Sequence, residues 1–131
     1  MPTDHQDIEI LVLYYSRHGA VEKLARLAAR GVEATGARAR VRTVASLHAS
    51  TGATVGASAP IATLDDLAEC AGLLLGTPTR FGAMAAAMQA FFESTTPLWL
   101  SGALVGKPAG AFTSTSTQHG GNESTLLDIL R

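Results

Sequence analysis

Cysteine is almost missing from this chain: Cys70 stands alone, so no internal disulfide can staple the fold. Aromatic residues are few, at 5%, and charged residues make up only 16% of the 131 positions, which excludes neither folding nor a small binding site. Charge of one sign is lacking as well. Ten basic side chains face eleven acidic ones, and a net charge of −1 gives no electrostatic reason to expect nucleic acid or a membrane surface as partner. The strongly acidic docking face of a small electron shuttle is not indicated. The greasiest stretch, Gly82 to Phe92, contains Gln89 and falls short of the roughly 18 apolar residues of a membrane span. The first seven residues lack the basic start and apolar middle of a secretory signal. A reducing cytoplasm is the expected location, and no metal site is expected.

What is there is an apolar share of 47%, enough to pay for an ordered core, in one domain spanning residues 1–131. Ile8 to Tyr15 is an apolar run that reads as a buried strand. From Ala20 to Thr35, Val21, Leu24, Ala25 and Ala28 recur at helical spacing, while Glu22, Arg26 and Arg30 share the other side; Gly36 stops the helix. Arg38 to Val44 alternates and predicts a second strand. Residues 46–62 form a long Ser/Thr/Gly/Ala segment, a length at which loops are usually functional or mobile. Thr63 with Asp66 three residues on predicts a helix start leading to Cys70.

Gly72 to Gly76 predicts a third strand, and Ala83 to Ser94 a third helix with Met84, Met88, Phe91 and Phe92 on one face, a core or subunit-contact stripe. Lys107 to Thr113 predicts a fourth strand and Glu123 to Leu130 a fourth helix. Strand and helix alternate throughout, so the expectation is an α/β, doubly wound parallel sheet with right-handed crossovers.

Ligands of such sheets sit beyond the carboxyl ends of the strands. Three of those ends are rich in hydroxyls and glycine: Ser16-Arg17-His18-Gly19-Ala20-Val21, Gly76-Thr77-Pro78-Thr79-Arg80-Phe81-Gly82, and Thr113-Ser114-Thr115-Ser116-Thr117-Gln118-His119-Gly120-Gly121. The first turns from strand into helix, where unpaired N–H groups and the helix dipole favour an anion such as phosphate, although a plain Ser-capped turn reads the same way. Other phosphate motifs fail. Gly102 to Lys107 has three residues between its glycines where a P-loop has four, and Pro108 stands where a magnesium-binding hydroxyl belongs. The first turn offers only Gly19, against the several glycines of a dinucleotide fingerprint.

Taken in order and spacing, Leu11 to Ser16 with Gly19 and Glu22, Gly76 to Gly82, Leu98-Trp99, Ser101 to Leu104 with Gly106-Lys107, Phe112 to Ser114, and Gln118 to Gly121 with Glu123 resemble the WrbA family of flavodoxin-like, FMN-dependent NAD(P)H:quinone oxidoreductases. Pro78-Thr79-Arg80-Phe81-Gly82 is the most diagnostic piece. The resemblance implies a flavodoxin-like fold and FMN as cofactor. It implies that Ser16, Arg17, His18, Gly19, Ala20 and Val21 hold the FMN phosphate, that Thr79, Arg80 and Phe81 flank the ring and ribityl chain, and that Ser114, Thr115, Ser116, Thr117, Gln118 and His119 wrap the pyrimidine edge. His18 takes the place of a nicotinamide-contacting phenol, and Trp99 belongs to the substrate pocket. NADH or NADPH and a quinone are the implied substrates, in a homo-oligomer, dimer or tetramer. The family continues past the point where this chain stops, with a fifth strand and helix, so the resemblance implies a domain lacking its last strand and helix, incomplete at its carboxyl end.

A phosphoacceptor domain of the same class needs acidic residues where Tyr15-Ser16 and Gly76-Thr77 stand, and a hydrolase needs a Gly-x-Ser-x-Gly elbow that is not present. The alternatives kept are a flavodoxin-type electron carrier and a truncated scaffold without flavin. Cys70 reads as a buried small apolar residue, and His5 and His48 as tail and loop residues.

Overall fold

The computed structural model describes residues 7–47 and 59–131. His5, His48 and most of the segment 46–62 lie outside the described residues. Four strands, β1 (Glu9–Tyr14), β2 (Arg38–Thr43), β3 (Gly72–Pro78) and β4 (Ala109–Ser114), form one sheet in the order β2-β1-β3-β4, with every neighbouring pair parallel. The order follows composition. β1 and β3 are apolar on both faces and take the centre, whereas β2 reads RARVRT and takes an edge. Because the chain leaves β1 for β2 on one side and resumes at β3 on the other, a crevice opens above the carboxyl ends of β1 and β3.

Successive side chains of a strand point to opposite faces, and β1 divides its residues accordingly. Val12 and Tyr14 pack under α1 (Ala20–Ala34), against Val21, Ala25 and Ala29. Leu11 and Leu13 join Leu73 and Leu75 of β3 on the other face. They are covered by Leu67 of α2 (Leu64–Glu69), Met88 of α3 (Ala86–Glu93) and Ile129 of α5 (Asn122–Leu130). Burying each such side chain contributes about 1.5–3 kcal/mol. Met84, Phe91 and Phe92 pack on this second cluster, so the Met/Phe stripe is a core face. Cys70 is buried beside Leu67, and burial pushes its thiol pKa up.

The Thr63–Asp66 capping box is present: Asp66 N–H donates to Thr63 Oγ1 (3.3 Å) and Thr63 N–H to Asp66 Oδ2 (2.9 Å). Asp66 also accepts from Arg40 (2.9 Å) and lies 3.4 Å from Arg42. Arg40 further pairs with Glu9 (2.7 Å) and Glu69 (3.1 Å), tying β1, β2 and α2 together. Burial alone would raise the Asp66 pKa; the Thr63 N–H and the two guanidinia outweigh it and hold the carboxyl below its usual range.

One predicted helix is corrected. In place of a helix from Ala83 to Ser94, residues 80–83 form a tight turn and α3 starts at Ala86. A further helix, α4 (Thr96–Ser101), follows; Pro97 in its first turn and Gly102 at φ 69° mark its ends. The apolar periodicity of residues 83–94 concealed the break, because Met84 is core-facing without being helical.

Candidate functional site

The crevice above the sheet is where the three hydroxyl-rich strand ends meet. A cleft of about 260 Å³ is lined by Ser16, Arg17, His18, Ala20 and Val21 from the first, Pro78 and Arg80 from the second, and Ser114, Thr115 and Ser116 from the third. Chain segments some 35 to 100 residues apart in sequence are brought together by the strand order and parallel register, in which Tyr14 pairs with Gly76 and Pro78 with Ser114.

The first segment is shaped as an anion cradle. Gly19 is the N-cap of α1 at φ 97°, a conformation glycine takes without strain, and open space lies where its Cβ would be. No side chain caps the helix; the Ser16 hydroxyl instead accepts the Gly19 N–H at 3.0 Å. The amides of Ala20 and Val21 find no acceptor among the described residues. A fifteen-residue helix thus presents its positive end to the cleft, with Ser16 bracing the turn.

The second segment holds its aromatic residue out. Arg80 and Ala83 exchange backbone hydrogen bonds at 2.9 and 3.0 Å, which forces both Phe81 (φ 52°) and Gly82 (φ 74°) into the left-handed region. A phenylalanine there is strained, and this one is fully exposed. The strain is held by α5. Ser124 Oγ donates to the Gly82 carbonyl (2.7 Å), and Asp128 accepts the Met84 N–H (2.9 Å). That bond, with help from Arg131, lowers the Asp128 pKa. Gly121 comes so close that a Cβ on it would stand 2.9 Å from Gly82 Cα. Ser124 and Asp128, at i and i+4 on one helix, are the site-supporting residues that the sequence reading missed; their spacing was the available signal.

The remaining predicted residues are distributed as follows. Thr79 Oγ1 lies 3.0 Å from Thr113 Oγ1, joining the second and third segments. Thr115 Oγ1 donates to the Thr117 carbonyl (2.7 Å) and braces its own loop. His119, at φ 52°, pairs with Glu123, whose pKa the contact lowers. Thr117, Gln118 and His119 are exposed and do not line the cleft, nor does Phe81. Trp99 stands on α4, 79% exposed, beside exposed Leu100 and outside the cleft lining.

A family model described as NADPH-dependent FMN reductase matches residues 8–128 of the chain. The chain belongs to that family. Among curated proteins it is 46% identical over 127 residues to an NAD(P)H dehydrogenase (quinone) of Cupriavidus metallidurans, and 45% identical over 127 residues to one of Gluconacetobacter diazotrophicus. Each alignment covers 93% of this chain and 64% of the relative, so the chain spans a little under two thirds of the length of the curated relatives it matches. Among solved structures, the flavodoxin, WrbA-like protein from Agrobacterium tumefaciens superposes with a TM-score of 0.74 at 21% identity, covering 94% of this chain and 69% of that one. A flavodoxin from Pseudomonas aeruginosa gives 0.65 at 19% identity, covering 94% and 72%. The fold of this FMN reductase family member is therefore flavodoxin-like, as the resemblance implied. Among the described residues no helix is long and apolar enough to cross a membrane, and no group of His, Cys and acidic residues could hold a metal ion.

Proposed function

We propose that this member of the FMN reductase family binds FMN in the crevice above β1 and β3 and serves two-electron reduction of a quinone by NADH or NADPH. One observation carries the reading: an uncapped helix N-terminus, two rim arginines and a hydroxyl loop converge on a cleft beside an aromatic held out at positive φ. These residues fit the cofactor. The α1 cradle, open in front of Gly19, suits a terminal phosphate, and the amides of Ala20 and Val21 supply donors where the phosphate oxygens need them. When bound, FMN would supply the redox chemistry, two-electron transfer between a nicotinamide and a quinone that visit the site in turn.

The chain's own residues bind and orient. Ser16 keeps the cradle in shape, Arg17 and Arg80 neutralise charge at the rim, and Thr79 locks the second loop to the third. Ser114 to His119 offer hydroxyl and amide donors to the electron-rich edge of the ring system. Phe81 and Trp99 supply flat apolar surface for a planar substrate, and His18 faces the nicotinamide. The exposed Trp99, Leu100 and half-buried Leu98 also form the contact patch of a homo-oligomer, and the lone buried Cys70 suits a reducing cytoplasm.

The deciding experiment is an FMN titration of the purified chain, followed by its visible absorption and by calorimetry, with FAD in parallel. Saturable binding with a shifted flavin band and FMN preferred over FAD is expected; absence of saturable FMN binding would overturn the reading. Sedimentation velocity tests the patch, and a chain that stays monomeric at every accessible concentration would remove it.

A further inference from the structure

We propose that α5 is a positioning element for the flavin: none of its residues lines the cleft, yet it sets how the second and third hydroxyl-rich loops stand against each other. That the ligand is a flavin rests on the function proposed above; the clamp itself does not. At the sheet the two loops are already joined. Thr79 N–H donates to the Ser114 carbonyl (3.2 Å), and Thr79 Oγ1 meets Thr113 Oγ1 at 3.0 Å. Those contacts fix the base of the cleft, where Pro78 and Ser114 pair in the sheet. They leave the outer turn, from Arg80 to Ala83, to be held by other residues.

Ser124 holds it most directly. Its hydroxyl has one proton and two carbonyls within reach, Gly82 at 2.7 Å and Gly121 at 3.1 Å. The Gly121 carbonyl already accepts the Thr125 N–H (3.0 Å) and the Thr125 hydroxyl (2.9 Å), which occupies both of its lone pairs. The Ser124 proton is therefore directed to Gly82. One turn further along α5, Asp128 accepts the Met84 N–H at 2.9 Å. The two side chains grip the turn from across 42 and 44 residues of sequence. The start of the helix is just as close: a Cβ on Gly121, the N-cap at φ 104°, would stand 2.9 Å from Gly82 Cα and 3.3 Å from Thr79 Cγ2.

This grip works against a conformational preference. Phe81 sits at φ 52°, and its fully exposed ring makes no packing contact that could keep it there. Once released, the turn relaxes toward negative φ at Phe81. Arg80, which opens the turn and lines the cleft, moves with it. A glycine at the same position takes φ 52° without strain, so it needs the clamp far less. That dependence separates positioning from plain stability: a helix that merely adds to the fold would matter equally with either residue at position 81.

A double-mutant cycle read by FMN fluorescence titration, with amide hydrogen exchange of the unliganded chain alongside, tests the clamp. Ser124→Ala should weaken FMN binding about tenfold, and Asp128→Ala should act in the same direction, whereas Ser124→Thr, which keeps the hydroxyl, should stay within about twofold of the parent. Added to Phe81→Gly, Ser124→Ala should cost less than about twofold. Without flavin, Ser124→Ala and Asp128→Ala should speed exchange of the Ala83 and Met84 amides about tenfold, with Leu13 and Leu75 of the central strands exchanging as in the parent. The proposal is overturned if both alanine variants bind FMN as the parent does, or if Ser124→Ala costs the same with and without Phe81→Gly. It is overturned equally if Ala83 and Met84 exchange no faster, or faster only in step with the central strands. A parent chain that binds no FMN refutes the proposed function, and local acceleration at Ala83 and Met84 then still establishes that α5 positions the turn.

Discussion

The arginines of β2 and those of the crevice rim live in opposite electrostatic surroundings. Arg40 touches three carboxylates, from Glu9, Asp66 and Glu69, and Arg42 a fourth contact with Asp66. Arg17 and Arg80 touch none among the described residues. The first pair is neutralised from within and has nothing left to offer a ligand; its work is to hold α2 against the sheet. The second pair stands at strand ends with its charge uncompensated, which is affordable in solvent and useful once an anion arrives. Same residue type, opposite role, and only the partners tell them apart.

Removing the centre of the paired group should break this contrast most visibly. Asp66→Ala strips the capping box and leaves Arg40 and Arg42 facing less charge. Urea unfolding should show a loss of about 2–3 kcal/mol, with FMN affinity unchanged in the folded protein. A loss under about 0.5 kcal/mol would mean the network is ornamental.

The rim should behave in reverse. Arg80→Met is expected to leave the urea midpoint within about 0.5 kcal/mol of the parent while weakening FMN binding about tenfold, read by fluorescence titration. A stability loss as large as that of Asp66→Ala would erase the distinction between the two groups. Ser16→Ala, which removes one hydrogen bond from the cradle, should weaken FMN by about 1 kcal/mol, without altering the melting temperature by more than a few degrees.

Acid sharpens the same comparison. The folded Asp66 pKa is depressed, so its contribution is fully present above the ordinary aspartate value of about 3.9 and is lost as pH falls through the lower folded value. The parent should therefore lose stability in that window more steeply than Asp66→Ala, while Arg80→Met tracks the parent; superimposable acid limbs for the parent and Asp66→Ala would count against the pairing. The smallest effect is expected at His119. Its exposed pair with Glu123 lowers the Glu123 pKa, and His119→Gln should return that carboxyl to the usual range by NMR titration with no measurable change in melting temperature.

Much of the architecture was legible in the residue order. The double-sided apolar runs of Leu11–Tyr14 and Leu73–Leu75 marked the central strands, Thr63 and Asp66 announced a helix start, and the three hydroxyl-rich segments fell where a parallel sheet places ligands. Legibility failed between residues 80 and 101. There the apolar spacing of Met84, Met88 and Phe91 looks continuous, and nothing local reveals that Arg80 and Ala83 close a turn or that a short helix begins at Thr96. The turn forms because Ser124 and Asp128, some 40 residues on, hold its backbone.

Outside residues 80–101, sequence by itself determined which segments are strands and helices, together with the parallel sheet and the three hydroxyl-rich loops at its carboxyl end, because periodicity and turn residues act over a few positions. Only the tertiary structure decided which arginines pair with carboxylates and which, among the described residues, do not, and that Phe81 is held out in a left-handed conformation. Those outcomes depend on distances between residues far apart along the chain, and strand register, not local preference, sets such distances.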